Sequence, residues 1–395
     1  MKQEKMKIRK NEIRKNEIRK TIKKVSALIL SVTLITLGFT GCGSKLETES
    51  KSSDEEAYTL NIGESGDAAL NNPLIQLAEE KGYFTDYNLS LNRTKLENNG
   101  AVMYDALSVG KIDAAYAQAV PPISYGAQGY DVTLIAGVLS GGMVAVCLPE
   151  NKEELSDISN WKGHSIGVVQ MSTSELTTRN ALKEYGLDGN NDVTYVMIED
   201  YASIALSTSK GNVDIGFIGS NYVEQALEEG CVVLTTLYDI KKDYVCCRQS
   251  AYAKNLEENR QAYVYYLQGQ IKAYKDINTD EEGTIKSLTS QTKETEDYVY
   301  TYVYDEEGSA HRTYNPDPNY NGVQGLYESI LEQKYLESDL TLDQFYDLSV
   351  YADALKAVIK ENPDDEFYQN MKEYFKEHNN QYPDFDNKYG DTFWR

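Results

Sequence analysis

"GNVDIGFI", residues 211–218, repeats the plan of "GKIDAAYA", residues 110–117, roughly a hundred positions earlier. Each opens on a glycine that ends a helical stretch. A polar residue, an apolar residue and an aspartate follow, and then a run apolar enough for a buried strand. Whether the two copies sit in similar surroundings decides the fold.

They do. Ahead of the first copy, "YTLNIG" (58–63) alternates as a strand does. "NNPLIQLAEEKGYF" (71–84) then reads as a helix with Asn72 as N-cap, Pro73 in the first turn and Gly82 as the stop, and "AVMYDALSVG" (101–110) as another helix. Ahead of the second copy, strand "SIGVV" (165–169), helix "SELTTRNALKEYG" (174–186), strand "DVTYVMI" (192–198) and helix "YASIALSTSKG" (201–211) repeat that rhythm, and "NYVEQALEEG" (221–230) follows as a helix. Strands alternating with helices imply largely parallel sheets, and two copies imply two similar α/β lobes.

Two stretches are suited to join the lobes: "VLSGGMVAVCLPENKEELSDISNWKG" (138–163) outward and "LTTLYDIKKDYVCC" (234–247) on the return. Beyond Cys247 the apolar spacing is mainly helical. The exception is "YVYTYVYDEEGSAHRTY" (298–314), whose period-two alternation around "DEEG" predicts a β-hairpin insertion.

At the other end, residues 1–24 hold eleven Lys or Arg against three Glu, and residues 25–39 are uncharged. A basic segment before an apolar run shorter than the roughly 20 residues of a spanning helix reads as an export signal. "FTGC" (39–42) resembles the bacterial lipobox, which makes Cys42 the lipidation site, with Phe39 in place of the usual Leu. Residues 43–56 have one Leu and no aromatic side chain, and read as a flexible tether. The expected organisation is therefore signal peptide 1–41, tether 42–57, first lobe 58–146, second lobe 147–242, and a return to the first lobe with a helical C-terminal region over 243–395.

The whole chain carries 39 basic and 62 acidic residues, a net charge of −23. Removing the signal's eleven basic and three acidic residues leaves −31 for 42–395. Such a surface disfavours nucleic acid and anionic head groups as partners. Cys147, Cys231, Cys246 and Cys247 have no metal-like spacing and read as unpaired thiols. His164, His311 and His378 share no motif, so neither a metal site nor a His-based catalytic triad is expected.

The order "PLIQLAEEKGYF", "ALSVGKIDAA", "SDISNWKGHSIGVV", "ALKEYGLD", "GNVDIGFI" resembles the substrate-binding proteins of ABC importers in the nitrate, sulfonate, taurine and thiamine-precursor group. The resemblance spans about half the chain, roughly residues 58–245. It implies a type II periplasmic-binding fold, two α/β lobes joined by two crossovers, with the ligand held in the cleft between them. It also implies a small-molecule ligand and a membrane permease as partners, a monomer, and a place on the extracytoplasmic face of the cell membrane, held there by the lipid anchor. No cofactor is implied.

Ligands of open α/β sheets bind beyond the carboxyl ends of the strands, where helix N-termini favour anions. Four loops qualify: 64–69, 118–122, 170–174 and 219–222. The candidate ligand-binding residues are Glu64, Asp67, Gln118, Gln170, Ser172, Thr173, Ser174, Gly219 and Ser220. Ser172 and Glu175 fit a capping box, so this helix start either only caps itself or also receives an anion. Glu64 and Asp67 are either solvated acids of a very acidic protein or receivers of a ligand amine, as an aminosulfonate such as taurine would present. An enzyme is the competing class, since relatives of the fold make a thiamine pyrimidine. The export signal and the placing of His164 before a strand argue against it, so catalytic residues are not expected. An extracellular sensor module is the third reading.

Overall fold

The computed structural model describes residues 57–64, 70, 72–96, 100–305 and 308–395. The signal segment, Cys42 and Asp67 lie outside the described residues.

The strands form two five-stranded sheets built to one plan. The first contains β1 (Tyr58–Glu64), β2 (Leu89–Lys95), β3 (Ala114–Gln118), β4 (Val132–Ser140) and β10 (Val245–Tyr252), in the order β2-β1-β3-β10-β4. The second contains β5 (Met143–Cys147), β6 (Ser165–Val168), β7 (Thr194–Met197), β8 (Ile215–Gly219) and β9 (Val232–Thr236), in the order β7-β6-β8-β5-β9. Three neighbouring strands of each sheet are parallel. The fourth in line, β10 or β5, is antiparallel to both its neighbours and arrives by a crossover from the other sheet. The strands of the two sequence echoes, β3 and β8, hold the same third place. Each echo aspartate, Asp113 or Asp214, accepts the backbone N–H of the adjoining parallel strand.

Helices of eight or more residues are α1 (Pro73–Glu80), α2 (Gly100–Ser108), α3 (Val120–Ala127), α4 (Thr173–Ala181), α5 (Tyr201–Ser209), α6 (Arg260–Thr279), α7 (Glu281–Thr292), α8 (Glu296–Val303), α9 (Tyr320–Glu332), α10 (Ser349–Glu361) and α11 (Glu366–His378). The 20-residue α6 packs against both α1 and α10, burying Tyr263, Tyr266, Leu267 and Ile271. In the second lobe Trp161 meets Phe217 edge-on, and its buried indole N–H is satisfied by the Leu155 carbonyl at 2.8 Å.

Two local expectations are corrected, and one strand was not foreseen. β2 was hidden because it is an edge strand whose "LSLNRTK" leaves most of its side chains partly or fully exposed, so it carries little apolar signal. The predicted hairpin at 298–314 is instead a helix over its first part, α8, and no hairpin is present there among the described residues. Val299 and Val303 fall one residue out of step with the tyrosines, as alternation requires, but they are also four apart, which places both on one buried helical face. Tyr298 then stacks on Tyr302 and Tyr300 faces Tyr304, again at four-residue spacing. Finally, Asn72 stands before α1 but its side chain makes no capping hydrogen bond.

Past α8, residues 310–313 lie along the outgoing crossover. Thr313 exchanges backbone hydrogen bonds with Ser140 at 2.9 and 3.0 Å, and Gly142 N–H donates to the Ala310 carbonyl at 2.9 Å. Gly141 and Gly142 both have positive φ, at 79° and 83°. A Cβ on Gly141 would lie 2.2 Å from the His311 carbonyl oxygen, so the close approach requires glycine.

Candidate functional site

The carboxyl ends of β1, β3 and β8 and the two crossovers converge on one cleft of about 1150 Å³. Glu64, Gln118 and Gly219, the last residues of these three strands, line it as sequence reasoning places them. The outgoing crossover contributes Gly141 and Gly142, and the start of β10 contributes Cys246 and Cys247. Gln291, Thr292, Glu294, Tyr298, Tyr302 and Arg312 form a further wall drawn from α7, α8 and the segment after it.

The remaining candidates are placed elsewhere. Ser172 N-caps α4, accepting the Glu175 N–H at 3.2 Å, and bonds to Ser174 Oγ at 2.9 Å. Thr173 reaches the Cys246 carbonyl at 3.5 Å. All three are buried, and none is on the cleft wall. The Glu175 carboxylate is held by the Met171 N–H, by Arg179 and by the Tyr335 hydroxyl at 2.5 Å. Within this helix start Ser172 thus takes up the N–H groups of Glu175 and Leu176. Gln170 is exposed and off the cleft wall. Ser220 lies between the wall residues Gly219 and Asn221, with its Oγ buried and without a hydrogen-bond partner.

Glu64 faces the cleft, but its charge is already met. Its buried carboxylate accepts from Arg93 Nε at 2.5 Å, and Arg93 Nη1 also donates to Glu79 at 2.7 Å. A ligand amine at this carboxylate would share it with that guanidinium. Among the described residues the cleft's charged side chains are Arg93, Lys95 and Arg312 against Glu64 and Glu294, one more basic than acidic, in a chain of net charge −23.

Five tyrosines line the same space: Tyr116, Tyr201, Tyr222, Tyr298 and Tyr302. Burial pushes the Tyr116 and Tyr201 hydroxyls well above the ordinary phenol range, so both stay protonated and can donate. The Tyr116 hydroxyl, on a side chain 2% exposed, has no hydrogen-bond partner. Cys246 and Cys247 are free thiols with their sulfurs 3.5 Å apart. The Cys247 hydrogen bond, aided by the charges of Arg248 and Arg312, holds Cys246 below the usual thiol range despite burial. Sequence reasoning missed this pair as wall residues, and it missed Arg312 altogether. The consecutive glycines 141 and 142 were the available signal for a close approach there.

Among the described residues, no cluster of His, Cys, Asp and Glu could hold a metal ion, and no helix is long and apolar enough to cross a membrane.

Solved structures share this architecture. The periplasmic aliphatic sulphonate binding protein SsuA of Escherichia coli matches with a TM-score of 0.57 at 19% identity, covering 73% of this chain and 91% of that one. The periplasmic nitrate-binding protein NrtA of Synechocystis PCC 6803 matches with a TM-score of 0.60 at 15% identity, covering 82% and 99%. The fold is thus the two-lobed type II periplasmic-binding fold. By sequence, the chain is 25% identical over 292 residues to the 4-amino-5-hydroxymethyl-2-methylpyrimidine phosphate synthase of Candida albicans, covering 66% of this chain and 81% of that protein. That finding overturns the expectation of no enzyme, because the sequence relative bears an enzyme's name. Residues 72–278 match the NMT1/THI5-like family, and with half the chain inside that match the protein belongs to it.

Proposed function

We propose that the chain captures a small polar organic molecule or anion in the interlobe cleft and delivers it to the permease of an ABC importer, tethered to the outer face of the membrane by a lipid on Cys42. The observation that carries this reading is the cleft itself. It opens where three parallel-strand ends and both crossovers meet, and its described charges are net positive although the chain is strongly acidic. The solute-binding neighbours in the same fold support it.

One observation favours a second reading, pyrimidine chemistry in the same cleft. It is the Candida albicans relative named for synthesis of a pyrimidine phosphate, to which two thirds of the chain aligns. Tyrosine side chains suit a flat heteroaromatic ring as well as they suit packing.

The test is a thermal-shift panel of sulfonates, taurine, nitrate and pyrimidines, followed by calorimetry and mass spectrometry of the recovered ligand. A ligand at 100 times its Kd adds about 2.7 kcal/mol of stability. Importer function predicts one-to-one binding with the ligand recovered unchanged, whereas recovery of an altered product replaces it with the second reading. Labelled palmitate should mark the native chain and leave a Cys42→Ala variant unmarked.

A further inference from the structure

We infer that Cys246 and Cys247 form a reversible dithiol–disulfide site in the cleft wall, closed by small disulfides such as oxidised glutathione. This is chemistry of the wall itself and does not depend on which solute the cleft takes.

Neighbours along a strand point to opposite faces of a sheet, so consecutive cysteines ordinarily hold their sulfurs apart. Here β10 carries a bulge. Val245 pairs with Ser140 and Cys247 with Leu139, which leaves Cys246 as an extra residue against β4. A bulge re-aims side chains, and both cysteines line the cleft with their sulfurs 3.5 Å apart. The backbone of the pair is held on both sides. The Cys246 carbonyl accepts the Ala119 N–H at 2.8 Å, and the Cys247 carbonyl accepts Arg248 Nη1 at 2.6 Å. The sulfurs are thus presented to each other before any reaction.

Their surroundings single them out among the described thiols. Cys247 is partly exposed and Cys246 is 8% exposed, both toward the cleft. The hydrogen bond from Cys247 and the charges of Arg248 and Arg312 favour a thiolate at Cys246, and thiolates in electropositive, accessible places are the reactive ones. Cys147 and Cys231 are buried off the cleft wall, where burial raises both thiols, that of Cys231 to about 11.

The Cys246 thiolate attacks one sulfur of the small disulfide and expels the other half as a thiolate. Cys247 then attacks the Cys246 sulfur, expels the second half and passes its proton to it. Two electrons leave the cysteines, one S–S bond forms as another breaks, and the small disulfide is reduced to a thiol and a thiolate. A bridge between sequence neighbours spans Cα atoms only about 3.8 Å apart, less than disulfides usually do, and such a bond is easily reduced again. The outer face proposed for this chain is a compartment where disulfides form.

The test treats the full reduced chain in detergent with a concentration series of oxidised glutathione, alkylates the remaining thiols in denaturant and digests with trypsin, which releases residues 243–248 as one peptide. Mass spectrometry should find that peptide unalkylated and two hydrogens lighter, restored by dithiothreitol, while Cys147 and Cys231 remain alkylated. The same chain unfolded in urea should need about tenfold more oxidant, because the fold brings the sulfurs together. Cys247→Ser should retain glutathione on Cys246, having no second thiol to expel it, and Cys246→Ser should react more slowly. If either variant fails to fold, the comparison of folded and unfolded native chain decides. A peptide that keeps both thiols, or carries glutathione without closing, overturns the site. Equal oxidation of the folded and unfolded chain, or equal reaction at Cys147 and Cys231, overturns it as well.

Discussion

Asp214 Oδ2 accepts the backbone N–H of Ser165 at 2.8 Å and its hydroxyl at 2.7 Å, and Asp113 Oδ2 does the same in the other lobe for the N–H and side-chain amide of Asn61, both at 2.7 Å. The repeated aspartate thus ties the third strand of each sheet to its parallel neighbour, at Asn61 within β1 and at Ser165 at the start of β6. Asp113 is buried, whereas the Asp214 side chain is 37% exposed. Loss of a buried acceptor leaves donors unsatisfied at about 1–3 kcal/mol, and water can replace an exposed one. Asp113→Ala should therefore lower the urea midpoint clearly more than Asp214→Ala. A larger loss at Asp214 would contradict this account.

The pH response of Asp214 follows from the same contacts. Burial works against its charge, but the Ser165 donors and His164 prevail and hold the carboxyl below its ordinary value. A depressed folded pKa contributes stability above the unfolded value of about 3.9 and loses it as pH falls through the folded one. The native chain should lose more stability than Asp214→Asn on acidification below about pH 4, as read by thermal melts. Parallel curves would sink the idea.

Asp317 has the opposite sign. It is 2% exposed, and burial raises its carboxyl to about 6 although Asn379, the Asn319 N–H, His378 and Arg248 favour the charge. Both hydrogen bonds go to Oδ1, at 2.8 and 3.0 Å, and Oδ2 has no partner. With the folded pKa raised, stability falls as pH climbs from about 4 to 6. Asp317→Asn keeps the Oδ1 acceptor and removes the buried charge. At pH 7.5 the variant should be at least as stable as the native chain, by up to about 3 kcal/mol, and its melting temperature should not drop between pH 4 and 6 as the native one does. A variant much less stable than the native chain at pH 7.5 would show that the charge is needed.

Arg93 is the counter-ion of a buried carboxylate. Removing it as Arg93→Met strands Glu64, at a cost of about 3 kcal/mol, whereas Arg93→Met with Glu64→Leu should recover part of the loss. A double-mutant cycle on chemical denaturation measures the coupling. Simple additivity would mean the pair is mere surface charge.

Gly141→Ala meets two obstacles at once, a positive φ and the His311 carbonyl oxygen 2.2 Å from the new Cβ. The expected loss exceeds 2 kcal/mol, measured as the drop in Tm of the purified variant. Gly82→Ala, with positive φ but nothing within 4 Å, is the control and should cost less.

What could be read in the sequence was what repeats. The echo of residues 110–117 in 211–218 foretold two matched lobes, because an aspartate entering a buried strand does the same work twice. Glu64, Gln118 and Gly219 were legible as strand ends. Ser172, Thr173 and Ser174 were not separable from a ligand site, since a capping box and an anion site call for the same residue types. Arg312 was unreadable for a different reason. Its place depends on a backbone contact across about 170 positions, between 310–313 and 140–142, which no local pattern encodes. The tyrosine alternation misled because valines that alternate along a strand also fall four apart on a helix.

The strip 310–313 bears on both of the threads that join the lobes. Proteins of this shape swing about the threads that join their halves, and here a third strand of chain is fastened to one thread by three backbone hydrogen bonds. On its other side His311 stacks on Tyr238, beside the returning thread, with ring centres 4.7 Å apart. The two threads are thereby clasped together. A swing of the lobes would have to carry this clasp along as part of the pivot or undo it.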